Sequence, residues 1–208
     1  MAWVERRCFT HFPRGDFRAG ENACVTLPAG LGTLDWRPAR PEDDALAAPV
    51  AAALGAWSAA GRAPEVRVAD IDPQLADTAA FCARYDVAMT ASANCVIVAG
   101  RRGAEVRYAA CVVLATTRAD VNGVVRRRLD ARKASFAAVD DAVSLTGMEF
   151  GGITPIGLPA GWPVLVDRAV VDAGPVVIGS GRRRSKLLLE GAALAALPDV
   201  EVVDGLAS

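Results

Sequence analysis

NCVIVAGRRGAEVRYAACVVLAT, running from Asn94 to Thr116, sets two apolar arms on either side of a Gly100-Arg-Arg-Gly103 turn. β-Branched and small apolar residues fill both arms, and the glycines supply the backbone freedom a tight reversal needs. The stretch therefore predicts a β-hairpin. Upstream, Glu65 to Ala69 alternates as a strand, and Asp72-Pro73 offers an N-cap and an N1 proline for a helix from Pro73 to Tyr85. Before that, the acids of Pro41-Glu-Asp-Asp44 suit a first helical turn, and Pro49 breaks or restarts the helix ahead of an Ala-rich run to Ala60.

Downstream, Asp120 caps a short helix through Arg128, Ala134 to Ala137 reads as a strand, and Val139 to Leu145 as a short helix. Strands follow at Pro163 to Asp167, Pro175 to Gly179 and Ser185 to Leu189, then a helix over Glu190 to Leu197 and a last strand at Val200 to Val203. A hairpin combined with strands interleaved by short helices predicts a single α/β domain. Its sheet should be mixed and largely antiparallel, surrounded by short helices, rather than doubly wound and parallel. Residues 1–34 hold neither period 2 nor period 3.6 and predict an irregular N-terminal tail, leaving 35–208 as the domain.

Composition narrows the class. The 208 residues are 52% hydrophobic and 23% charged, which excludes a disordered or fibrous chain. No apolar run approaches the roughly 18 residues of a membrane span, and the start lacks the apolar core of a secretory signal, so no membrane partner and a cytoplasmic location are expected. Five cysteines, an odd number with no C-x-x-C pair, suggest neither a disulfide framework nor a zinc knuckle. No metal and no cofactor are expected. With one histidine, His11, a Ser-His or Cys-His machine is excluded unless that residue serves.

Net charge is −1, but its distribution is uneven. Between Arg101 and Lys133 nine Arg or Lys, Arg126, Arg127 and Arg128 among them, face three acids, and a second basic cluster holds Arg182, Arg183, Arg184 and Lys186. Such clusters are either solvated faces or a footprint for a phosphate backbone.

Chemistry concentrates in Thr146-Gly-Met-Glu-Phe-Gly-Gly-Ile-Thr-Pro-Ile-Gly157, where four glycines and a proline fall within twelve residues. Glycines let a main chain approach a ligand and aim N–H groups at it, and proline stiffens the turn. The same composition also serves a plain connection. Neither a P-loop nor a Rossmann pattern is present. Cys95 and Cys111 sit inside apolar strands as small hydrophobes, and Asp140 and Asp141 read as first-turn acids of a helix. Asp167 ends a strand and either points into a cleft or caps the next turn.

Leu145 to Gly157, Pro163-Val-Leu-Val-Asp167 and Val176-Val-Ile-Gly-Ser-Gly-Arg182 together resemble the YbaK and prolyl-tRNA editing domain family, with Asp77-Thr-Ala-Ala-Phe81 and Asn94-Cys-Val-Ile97 extending the likeness over roughly 40–205. The resemblance implies an aminoacyl-tRNA deacylase acting in trans on a mischarged tRNA, with an aminoacyl-tRNA synthetase as a further partner. Turnover in that family needs no protein nucleophile, because a substrate group or a water attacks. By the same resemblance, Gly151, Gly152, Ile153, Thr154 and Pro155 form the catalytic loop. Asn94, Thr146, Gly147, Asp167, Gly179, Ser180, Gly181 and Lys186 surround the substrate, and Arg126, Arg127, Arg128, Lys133 and Arg182 meet the tRNA backbone. The sequence departs from the family at Asn94, where a lysine is usual, at Gly179, where many relatives carry Ser, and at Lys186, near which some relatives carry an acid or amide. Asn donates hydrogen bonds but carries no charge for a phosphate, which keeps open a second reading, a non-catalytic tRNA- or nucleotide-binding module.

Overall fold

The expected hairpin is the longest paired element: β3 (Ala93–Arg102) and β4 (Glu105–Leu114) run antiparallel in unbroken register, from Ala93 opposite Leu114 to Arg102 opposite Glu105. The structure, a computed structural model, describes residues 30–61 and 64–208. Around the hairpin stand β1 (Arg37–Pro38), α1 (Ala48–Ala59), β2 (Arg67–Asp70), α2 (Thr78–Tyr85), the one-turn α3 (Arg126–Arg128), β5 (Lys133–Phe136) and α4 (Val139–Thr146). The chain ends with β6 (Val164–Asp167), α5 (Arg168–Val171), β7 (Pro175–Gly179), β8 (Ser185–Glu190) and β9 (Val200–Val203).

The strands divide between two sheets, one ordered β5-β3-β4-β6-β9 and the other β1-β2-β8-β7. β6 pairs parallel with both β4 and β9, and every other ladder is antiparallel, which makes the fold the mixed α/β arrangement the sequence predicts. A bridge between Ser92 and Val177 joins the sheets.

Strand alternation sorts the core. Ala110 and Val112 of β4 face the main cluster, with Val50, Met148, Ile156, Ile178 and Leu187. Ala109, Cys111 and Val113 face the other side of that sheet, under Val121, Val125, Leu129 and Leu206. The segment carrying Arg126, Arg127 and Arg128 thus packs on the opposite face from the glycine loop.

The hairpin pairs through Arg102 opposite Glu105, so its turn is Gly103-Ala104 rather than Gly100 to Gly103, and the helix expected over Glu190 to Leu197 is a 3₁₀ helix at Gly191–Ala196. Three further details differ from the sequence expectation for a capping reason. α1 begins at Ala48 with Pro49 in its first turn, because Asp43 spends its carboxylate on the Ala45 N–H and on Arg37 in a separate turn. The helix expected from Pro73 to Tyr85 is two elements. Asp72 caps a 3₁₀ turn at Pro73–Leu75, and Asp77 then accepts from the Ala79 and Ala80 N–H groups and starts α2 afresh. Asp120 accepts from Gly123 and Val124, giving a π turn over Val121–Val125 before α3.

The expected tail reaches into the packed region. Leu31 is 3% exposed and bridges Val87, the Thr33 N–H donates to the Tyr85 carbonyl, and Trp36 Nε1 donates to the Leu31 carbonyl. The remaining part of that tail, residues 1–29 with His11, Cys8 and Cys24, lies outside the described residues.

Candidate functional site

A cavity of about 500 Å³ opens where the loop between α4 and β6 meets the N-terminus of α2, the start of β3 and the β7–β8 turn. Its size suits a small organic ligand. Thr78 is the first residue of α2, and its hydroxyl donates to Asn94 Oδ1 at 2.7 Å, so the capping of α2 by Asp77 also fixes the Asn94 side chain in the wall.

Two loops are stitched together beneath the cavity. The Glu149 N–H donates to the Gly181 carbonyl, and the Gly181 N–H donates to the Gly152 carbonyl at 2.7 Å. Glu149 Oε2 accepts from the Arg183 N–H at 2.7 Å and Oε1 from Arg182 Nη1 at 3.1 Å. The Arg183 N–H, and after it the Arg182 guanidinium, hold the Glu149 carboxyl below its ordinary range, so the clamp is charged at neutral pH. Gly151 lines the cavity at φ +84°, a conformation that side-chain-bearing residues rarely adopt.

The clamp separates the expected loop residues into those that reach the cavity and those that build its frame. Gly151, Ile153, Asn94, Gly179 and Lys186 line it. Gly152 is buried against the Arg182 backbone, Pro155 is buried, and Thr154 is 0% exposed with its hydroxyl unpartnered among the described residues. Thr146 and Gly147 end α4 instead of touching the cavity: Thr146 Oγ1 donates to the Ala142 carbonyl and accepts from the Met148 N–H, and Gly147 is a left-handed C-cap. Ser180, expected at the substrate, is consumed internally, since its buried hydroxyl lies 2.7 Å from Ser185 Oγ and accepts from the Arg182 N–H. Gly181 packs against Ala47 and Val50. Asp167 is a correction of the cleft reading. It is 6% exposed and caps α5, accepting from the Ala169 and Ala207 N–H groups.

The expected tRNA-backbone residues are spread over the surface. Arg182 sits in the clamp. Arg128 pairs with Glu201 and Arg126 donates to the Asn122 carbonyl, both across the sheet from the cavity, while Lys133 is exposed on the edge strand β5. The sequence reading missed the cavity's rim. Phe136 and Phe150 are 63% and 58% exposed beside it, and Arg183 lines it with Nε donating to the Pro73 carbonyl and Nη1 to the Phe150 carbonyl. Phe150 lies inside the glycine loop itself, an aromatic among polar and small residues, and that contrast was the available signal.

Burial pushes all three described thiols up, Cys111 to about 12, and Cys95, which lines the cavity, further still. They stay protonated at neutral pH and are poor nucleophiles. Lys186 moves the other way. It is 8% exposed, and burial lowers its ammonium to about 8.

Solved structures share this architecture. A protein proposed as a trans-editing enzyme for prolyl tRNA synthetase superposes with a TM-score of 0.61 at 18% identity, covering 75% of this chain and 95% of its own. The hypothetical protein APE2540 gives a TM-score of 0.63 at 21% identity, covering 74% and 97%. A scaffold used for computational epitope grafting gives 0.62 at 19%, covering 76% and 97%. At such identities these likenesses establish the fold alone, a mixed α/β domain. No curated protein matches the chain in sequence. The aminoacyl-tRNA editing domain model matches residues 72–197, more than half the chain and a span that holds every residue lining the cavity, and the chain belongs to that family.

Proposed function

We propose that the chain is a trans-acting aminoacyl-tRNA deacylase that hydrolyses the ester of a mischarged tRNA. The observation that carries this reading is the loop held by the Glu149 clamp, whose Gly151 and Ile153 line a cavity with a cationic wall and an aromatic rim. In the reaction a water, or a hydroxyl or thiol of the aminoacyl group, adds to the ester carbonyl. The terminal ribose oxygen leaves and takes up the proton. When water is the attacking group, the products are free tRNA and free amino acid. An attacking substrate group instead gives a cyclic product that water can open later.

The described cavity walls offer no thiolate and no histidine to attack or to serve as base, so the chain's part is to position the carbonyl and to stabilise the developing oxyanion with loop N–H groups. Positioning of that kind is worth several kcal/mol of barrier. The partners in this reading are the mischarged tRNA and the synthetase that produced it, and the setting is the cytoplasm. Among the described residues no helix is long and apolar enough to cross a membrane.

Asn94, in place of the family's usual lysine, favours one other reading, a module that keeps the cavity and binds without turnover. A panel of mischarged tRNAs incubated with the full chain separates the two. Release of amino acid from at least one member is expected. Binding of the whole panel with no release from any member would overturn the deacylase.

A further inference from the structure

Lys186 is the group in the cavity that folding explains least. Among the described residues its ammonium has a single hydrogen bond, to the Ala76 carbonyl at 3.3 Å, and lies 5.2 Å from the centre of the Phe81 ring. It takes part in none of the ion pairs found there. An ammonium has three donors, and a buried charge is costly unless it is paired. Arg183, on the same cavity, gives its backbone N–H to Glu149, but its guanidinium is held only by the Pro73 and Phe150 carbonyls and forms no ion pair among the described residues. The charged or titratable groups near Lys186 are Cys82 of α2, Arg183 of the β7–β8 turn and Asp77 at the head of α2. The Cys82 thiol is protonated, and Asp77 Oδ1 already accepts from the Ala79 and Ala80 N–H groups. The cavity therefore carries an excess of positive charge.

We propose that Lys186 and Arg183 form an oxyanion subsite in the cavity, occupied by a phosphate or carboxylate group of the substrate. This rests on the cavity being the aminoacyl-tRNA site. There the phosphodiester between the last two nucleotides is one source of the oxyanion, and an acidic aminoacyl side chain is the other. The subsite places on β8 the positive charge that Asn94 on β3 does not supply. Because the free ammonium titrates near pH 8, an anion that pairs with it binds progressively more weakly as pH rises above that value.

The test is calorimetric titration of the full chain with AMP, inorganic phosphate and free glutamate at pH 7 to 10, run on the wild type, Lys186→Met and Arg183→Gln. Deacylation of the mischarged panel is measured in parallel. AMP is expected to bind the wild type with affinity falling above pH 8. Lys186→Met is expected to weaken it at least tenfold and flatten the pH dependence, and Arg183→Gln to weaken it less. Lys186-dependent binding of glutamate with indifference to AMP and phosphate assigns the subsite to the aminoacyl side chain. Affinity unchanged by Lys186→Met, or no binding of any probe to the wild type, overturns the subsite. If the Met variant fails to fold, a wild-type AMP affinity flat from pH 7 to 10 does the same. Deacylation without Lys186 dependence removes the subsite and leaves the enzyme, whereas Lys186-dependent AMP binding without deacylation removes the enzyme and leaves the subsite.

Discussion

A Cβ built on Gly179 would stand 2.2 Å from the carbonyl oxygen of Gly152, so β7 and the cavity loop meet backbone to backbone. No side chain fits between them unless one moves. Gly179→Ser is therefore expected to lower stability by about 1–3 kcal/mol, the usual cost of overpacking. It should also cut deacylation kcat/KM on the order of 100-fold through displacement of the loop. Thermal melts and initial rates check both, and a variant equal to the wild type in both would show that the loop yields freely.

The thiols give a prediction of the opposite kind. Cys82, Cys95 and Cys111 are each held protonated by burial, so replacing any one of them by Ala or Ser is expected to reduce kcat less than about tenfold, near 1.4 kcal/mol. A variant that folds yet is inactive would identify a protein nucleophile and end the substrate- or water-driven scheme.

Stability against pH follows from Lys186. Between about 8 and its ordinary value of 10.5 the folded chain has lost the Lys186 proton while the unfolded chain retains it, so this group makes the fold more stable as pH rises through that window. Below pH 8 the buried ammonium is a constant penalty. Lys186→Met is accordingly expected to melt above the wild type at pH 7, with the advantage shrinking towards pH 10.5. Denaturant titrations of both proteins, compared at each pH, cancel the opposing contribution of the thiols, whose raised values make the fold lose stability above about pH 9.

Salt dependence distinguishes the basic clusters. Each phosphate contact contributes roughly −0.7 to −0.9 to the log–log slope of binding against salt. Replacing Arg126, Arg127 and Arg128 by Ala, on the face of the sheet away from the cavity, is expected to leave the slope for tRNA within one contact of the wild type. Arg183→Gln is expected to lower it by about one. A drop of two or more contacts in the triple variant would extend the tRNA path around the sheet.

A chain starting at Leu34 loses the buried Leu31, and a chain starting at Gly30 keeps it. The shorter one is expected to be less stable by about 2 kcal/mol, the worth of one fully buried leucine, and to melt lower by several degrees. Equal melting temperatures would mean that Leu31 contributes nothing there.

What could be read from the sequence follows the range of the forces involved. The hairpin, β7, β9 and the cap at Asp120 come from local pattern, and local pattern places them nearly residue for residue. The split between 3₁₀ turn and α2 was hidden because Asp72 and Asp77 are both good caps, and in the fold each caps an element of its own. Ser180 and Asp167 looked like ligand groups because sequence shows a polar residue but not its partners, which lie at Ser185 and Ala207. The burial of Leu31 was invisible for the same reason, since a lone leucine has no period.

The Glu149 clamp gives the cavity two tiers that evolve under different rules. Gly152 and Gly179 face backbone atoms, and Gly181 faces the Ala47 and Val50 side chains, so any side chain added there collides and the frame has almost no freedom to drift. Phe136, Val139 and Phe150 stand exposed at the opening, outside the buried core. In the proposed deacylase, a shift in which acyl group is accepted would thus be written at the mouth, over a frame that stays the same.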